Sequence, residues 1–236
     1  MRHRASTGAS GDVLGSVDIH IESINPVAAH VAQFASPPPD QVAAFVAAGK
    51  QRRLDAGEDF CVPAQETHEL AFIHRGVVRY YTISSDGEET TKDFSFANSF
   101  ALSLSSAVRN CPAEVAIAAV TECRLTVWPY RLLTSLYREH LEWQKLGRRT
   151  AEMLYCREEQ QKMALLQLDA GERYRTMYLT LPDERGRIPQ HLVASYLGIR
   201  PQSLSRLKKK LRQRTKVDMD RALSSYRDTS VTLPMR

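Results

Sequence analysis

Residues 190–207 read QHLVASYLGIRPQSLSRL. Taken as two helices joined at Gly198, the stretch puts apolar side chains at Val193, Leu197, Ile199, Leu204 and Leu207, with the small Ala194 where the helices must approach closely. Gly198 supplies the positive φ that such a turn needs. Pro201 falls in the first turn of the second helix, where its missing N–H costs no hydrogen bond. This is the spacing of a helix-turn-helix. An αα-hairpin without a DNA role shares the apolar spacing, but it would not need the second helix to expose Gln202, Ser203, Ser205 and Arg206 near its start and Lys208, Lys209, Lys210 and Arg212 beyond.

Charge is concentrated on the same stretch. The 236-residue chain carries a formal net charge of +5, yet residues 187–216 hold nine of its 32 Lys and Arg and none of its 27 Asp and Glu. That leaves 23 basic against 27 acidic residues elsewhere, a net −4. A basic segment on an acidic body is the pattern of a module that binds a polyanion, the other reading being a solvated basic helix face. In a major groove, Gln202 can pair bidentately with adenine and Arg206 with guanine. Arg200, Ser203, Ser205, Lys208, Lys209 and Lys210 suit phosphates, which position a helix without choosing a sequence. The expected partner is double-stranded DNA.

Upstream of the motif the texture changes twice. Residues 50–128 form short β-rich runs broken by turn residues, including two strands around Gly76 within residues 72–83, a hairpin turn at Ser85-Asp86-Gly87-Glu88, and apolar runs over 115–120 and 123–128. Closely spaced short strands favour a sandwich or jelly roll over alternating strands and helices. Two short helices are expected before them, Pro26–Phe34 and residues 40–48, separated by SPPP and closed by Gly49. After Pro129 the chain reads as helix over 131–137 and then over 141–168, a stretch without proline. Leu146, Met153, Leu154, Ala164, Leu165 and Leu168 give the longer segment one apolar face, with Glu158 and Lys162 paired on another. Such a helix, roughly 40 Å long, exceeds what a small domain covers. Part of its apolar stripe is expected to meet a second copy, the alternative being a helix packed on its own roll.

The bulk composition narrows the class further. A chain of 236 residues with 43% hydrophobic content suits two modest domains with separate cores. Cys61, Cys111, Cys123 and Cys156 contain no CxxC pair, so they read as reduced thiols and no metal or cofactor is expected. The first residues lack the apolar run of a signal peptide, and no stretch approaches the ~18 apolar residues of a membrane helix, which points to the cytoplasm and no membrane partner. Residues 1–22, rich in Ser and Gly, read as a disordered leader, and 214–236 as a polar tail.

The order of these elements and the wording of several motifs resemble the Crp/Fnr superfamily of transcription regulators over residues 26–211. The similarity is carried by Leu54-Asp55-Ala56-Gly57-Glu58-Asp59-Phe60, by the run from Glu69 through Gly76 to Arg79, by Asp86-Gly87-Glu88-Glu89, by His140-Leu141-Glu142-Trp143, and by Ile188-Pro189-Gln190 with Ser195-Tyr196-Leu197-Gly198-Ile199. It is similar to a branch without the usual Fnr cysteines. The resemblance implies an α+β fold: a cyclic-nucleotide-binding-like β-roll or jelly roll over 23–140, a dimerisation helix over 141–168 and a helix-turn-helix domain over 169–213. It also implies a homodimer on a pseudo-palindromic operator, with a small-molecule effector of unidentified kind. The family holds a cyclic phosphate with a Gly-Glu pair and an Arg-Ser or Arg-Thr pair. In this sequence those positions fall on Leu102 and Ser103, and on Ala113 and Glu114. Loss of the cation beside an added carboxylate removes the attraction for an anion, so cyclic AMP is not the expected effector. Arg109 is the one nearby cation that could substitute. The winged hairpin of the family is not legible in residues 213–236.

Two other readings compete. A cupin-like metalloenzyme would use His68, Glu69 and His74, but no His-x-His pair with a downstream Glu and His stands in register. A ligand-sensing module with a protein partner would not need the acid-free basic run. No set of nucleophile, base and orienter can be assembled from the motifs, so the expectation is a regulator, not an enzyme.

Overall fold

The computed structural model describes residues 25–64, 66 and 68–213; the leader and the polar tail lie outside these residues. Two helices come first. The Asn25 side chain accepts the Val27 N–H at 2.9 Å and opens α1 (Pro26–Phe34), and Pro39 opens α2 (Pro39–Ala47). Six strands follow: β1 (Lys50–Leu54), β2 (Asp59–Cys61), β3 (Glu69–Arg75), β4 (Val77–Ile83), β5 (Glu89–Phe96) and β6 (Ser99–Ala101). A short helix, α3 (Leu104–Arg109), precedes β7 (Ala116–Ala119) and β8 (Cys123–Pro129). The remainder is helical: α4 (Tyr130–Glu139), α5 (Leu141–Gln167), α6 (Ala170–Thr180), a 3-10 turn at Asp183–Arg187, α7 (Gln190–Tyr196) and α8 (Pro201–Gln213).

The strands form two antiparallel four-stranded sheets, ordered β1-β8-β3-β6 and β2-β7-β4-β5. Hence the strands on either side of Gly76 are not a hairpin. β3 pairs with β8 and β6, whereas β4 pairs with β5 and β7, so Gly76 is where the chain leaves one sheet for the other. It does so at φ +105, with the position of a Cβ only 2.5 Å from the Glu122 carbonyl oxygen, which leaves room for no other residue. The turn over 84–88 does close a hairpin, β4 to β5, with Gly87 N–H donating to the Ser84 carbonyl at 3.0 Å.

Alternation along the strands sorts side chains into two cores. Ala71, Ile73, Leu125 and Val127 meet Phe60, Val78 and Ile117 between the sheets. Leu70, Phe72 and Trp128 face the other way, onto a helical layer that contributes Val27, Val31, Phe45, Leu136, Trp143 and Leu146. Trp128 stacks on Phe45 at 4.7 Å and donates its indole N–H to the Phe45 carbonyl at 2.6 Å, so its one polar atom is satisfied in a dry site. Leu146, at the start of the apolar stripe, is covered within the chain: it is 6% exposed against the outer face of the roll. Three residues on, Arg149 still ties α5 to this layer through the Phe34 carbonyl at 2.6 Å. Farther along, Tyr155, Met163 and Leu166 are exposed on the side opposite Trp143 and Leu146, and Met153 and Leu165 are exposed as well.

Candidate nucleic-acid interface

The helix-turn-helix shares its apolar centre with the roll, whose Val77, Phe94 and Phe96 are buried in the same cluster. Ile188, Leu192, Val193, Ala194, Leu197 and Leu204 are buried together, with Ile199 and Leu207 partly buried against them and Met177 of α6 closing the group. Ala194 is fully buried where α7 and α8 meet. Gly198 turns the chain at φ +65, and the Ile199 N–H donates back to the Ala194 carbonyl at 3.0 Å. α6 begins on a reciprocal cap between Asp169 and Glu172, whose N–H holds the Asp169 carboxyl below its usual range. From its first turn Arg173 donates to the Leu168 carbonyl at 2.6 Å and the Leu197 carbonyl at 2.9 Å, tying the end of α7 to the start of α6.

This packing fixes what α8 shows to solvent. Arg200, Gln202, Ser203, Ser205, Arg206, Lys209 and Lys210 are exposed. Among the described residues no ion pair engages Arg200, Arg206 or Lys209. Lys208 differs from the rest of the basic set: it is half-buried and its Nζ donates to the Gln190 Oε1 at 2.7 Å, which staples the far side of α8 to the start of α7.

The other face of α7 meets the roll, a junction that sequence spacing gave no means to see. β5 is the edge strand of its sheet. Its Thr91 N–H donates to the Ser195 hydroxyl at 2.9 Å, and Phe94 packs on Tyr196 with ring centroids 5.6 Å apart. Arg157 of α5 donates to the Asp93 carboxylate at 2.8 Å and to the Phe94 carbonyl at 3.3 Å. Burial nevertheless lifts the Asp93 carboxyl above its ordinary value, with Arg157 pulling the other way. The only sequence signal is the polar Ser195 directly after the apolar run Leu192-Val193-Ala194.

The four positions aligned with a phosphate pocket lie in different surroundings. Leu102 packs with the helical layer, while Ser103 is buried at the start of α3 with its hydroxyl unpartnered among the described residues. Ala113 lies in the core between the sheets, and its carbonyl accepts the Ala64 N–H at 3.0 Å. Glu114 is exposed and pairs with Arg109 at 3.8 Å, so that arginine is engaged at the surface. Inside the roll Tyr80 is pushed up to about 12 by burial and remains neutral. Of the residues of a metal reading, His74 bonds the Thr126 hydroxyl at 2.6 Å and Glu69 pairs with Arg52 at 3.2 Å, while the buried His68 Nε2 has no partner among the described residues. Among the described residues no helix is long and apolar enough to cross a membrane.

No family model and no curated protein matches the chain. Solved structures do. FixK2 from Bradyrhizobium japonicum superposes with a TM-score of 0.59 at 19% identity, covering 70% of this chain and 84% of that one. The c-di-GMP responsive global regulator CLP of Xanthomonas campestris gives 0.59 at 19% identity over 74% and 92% of the two chains. A protein from Eubacterium rectale assigned to the Crp/Fnr family of transcriptional regulators gives 0.57 at 17% identity over 74% and 83%. With its two-sheet roll, long helix and helix-turn-helix in this order, the chain has the α+β fold of the Crp/Fnr regulators.

Proposed function

We propose that the chain is a sequence-specific DNA-binding transcription regulator that works as a homodimer. The observation that carries this reading is the outward face of α8, basic and engaged in no ion pair among the described residues, held on a helix-turn-helix packed against the roll. Gln202 and Arg206 stand one helical turn apart on that face and are placed to meet base edges, while Arg200, Ser203, Ser205 and Lys210 flank them toward phosphates. Lys208, being bonded to Gln190, acts by orienting α8. A second copy on the exposed side of α5 covers Tyr155, Met163 and Leu166 and sets two recognition helices roughly 34 Å apart, the spacing of successive major grooves on one face of DNA. The operator is then a pseudo-palindrome. A DNA-reading role of this kind belongs to the cytoplasm and needs no catalytic group.

Cyclic AMP is not the signal in this reading. Ala113 offers no cation, Glu114 and Arg109 neutralise each other outside the roll, and a neutral buried tyrosine gives an anion no charge to balance. Binding to genomic operator pools at several salt concentrations tests the proposal. A regulator should show affinity falling steeply and linearly in log-log form with salt, together with a cognate site bound at least about a thousandfold tighter than random duplex. Salt-independent or sequence-blind binding would reject it. Calorimetry with cyclic AMP should register no saturable heat.

A further inference from the structure

We infer that Lys209 reads a base, as a third specificity-determining residue beside Gln202 and Arg206, an inference that rests on the DNA-binding reading above. The helix itself sorts its lysines. α8 buries Leu204 and half-buries Leu207 and Leu211, which fixes one side of the helix against the motif's core. At 3.6 residues per turn, Gln202, Arg206 and Lys209 fall within about 60° of one another on the opposite side. All three are exposed. The neighbouring lysines leave that line in both directions. Lys208 turns inward to Gln190, and Lys210 lies on the flank shared with Ser203.

A side chain on the line that faces the groove floor meets base edges before it meets phosphates. From Gln202 to Lys209 the helix rises about 10 Å, the length of three base steps at 3.4 Å each. Seven residues of one helix face are enough to serve three successive bases, as zinc-finger helices show. An ammonium presents donors only, so the base edge it fits best is the pair of acceptors on guanine, O6 and N7. Each half-site is therefore read at three positions, with guanine at the one contributed by Lys209. A phosphate clamp, the role its charge alone suggests, would leave that position free.

Selection of bound duplexes from a random pool, using the full chain, separates these roles. The wild type should select a pseudo-palindrome constrained at three positions per half-site. Lys209→Ala should relax one of them, losing at least about fivefold preference for guanine, and Lys209→Gln should move the same position toward adenine. Lys210→Ala should return the wild-type sequence with lower affinity throughout. Because Lys209 is exposed, each variant can be matched to the wild type by circular dichroism before comparison. If Lys209→Ala and Lys209→Gln both select the wild-type site and weaken all duplexes alike, the inference fails while the DNA-binding reading stands. A wild type that selects no sequence overturns both.

Discussion

Arg157 on α5 and Asp93 on β5 form an ion pair of 2.8 Å that joins the long helix to the edge of the roll next to α7. The carboxyl is 14% exposed, and its desolvation outweighs the attraction, so its pKa lies above the ordinary value. An acid that binds its proton more tightly folded than unfolded contributes stability at low pH. That contribution is lost as pH rises from the unfolded value of about 3.9 through the folded one. Asp93→Asn removes this dependence. In urea unfolding across that range, the wild type should be most favourable relative to Asp93→Asn at the acid end. A difference that grows toward neutral pH would mean that the attraction of Arg157 dominates.

Gly76→Ala should be among the most destabilising small substitutions in the roll. The new methyl would stand 2.6 Å from the Cys123 sulfur and 2.9 Å from its Cα, at a φ of +105. Steric overlap and backbone strain together should cost more than about 2 kcal/mol, visible as a lower denaturation midpoint. A loss within experimental error would show that β8 shifts freely, contrary to its pairing on both sides with β1 and β3.

Met163→Asp combined with Leu166→Asp should produce a monomer at tens of micromolar. These residues are 43% and 72% exposed in the single chain, so each substitution should change the stability of one copy by no more than about 0.5 kcal/mol. Light scattering reads the assembly directly. A dimer that survives both charges would move the interface away from this side of α5.

Arg206→Ala should cost about 1–3 kcal/mol on the selected operator and relax base choice at one position per half-site. Each lost contact should appear twice in the footprint of a dimer. Unchanged base preference would mean that α8 is rotated about its axis in the groove, and Gln202 would lose its assignment with Arg206.

Much of this architecture could be read locally. The 84–88 turn, the caps around the prolines and the spacing of Val193, Leu197 and Leu204 are all decided by residues a few positions apart. What escaped was decided at a distance. Gly76 marked a break but not a change of sheet, because the partners of Val77 and Val78 are Phe96, Ser95 and Ala119. Leu146 had the right period for a helix face, yet period cannot say whether the roll or a second chain covers it. α6 is not legible as a separate helix by apolar period, although Asp169 and Glu172 carry the reciprocal cap that opens it. On the interface itself, the composition of α8 identified the basic set. Separating Lys208 from Lys209 needed the packing of Leu204 and the bond to Gln190.

The cover that α7 places over β5 has a further effect, on the solubility of fragments. A strand paired on one side only offers its free backbone groups to any extended chain, including the same strand of another molecule. Here the Ser195 hydroxyl occupies the Thr91 N–H and Arg157 occupies the Phe94 carbonyl, so the helical half of the chain shields the sheet from self-association. A chain cut before α6 would keep both sheets and the Trp143 and Leu146 packing of α5, and lose the α7 side of this shield. Such a fragment should assemble edge to edge into oligomers of strand-paired copies, a hazard that the intact chain avoids by keeping its two halves docked.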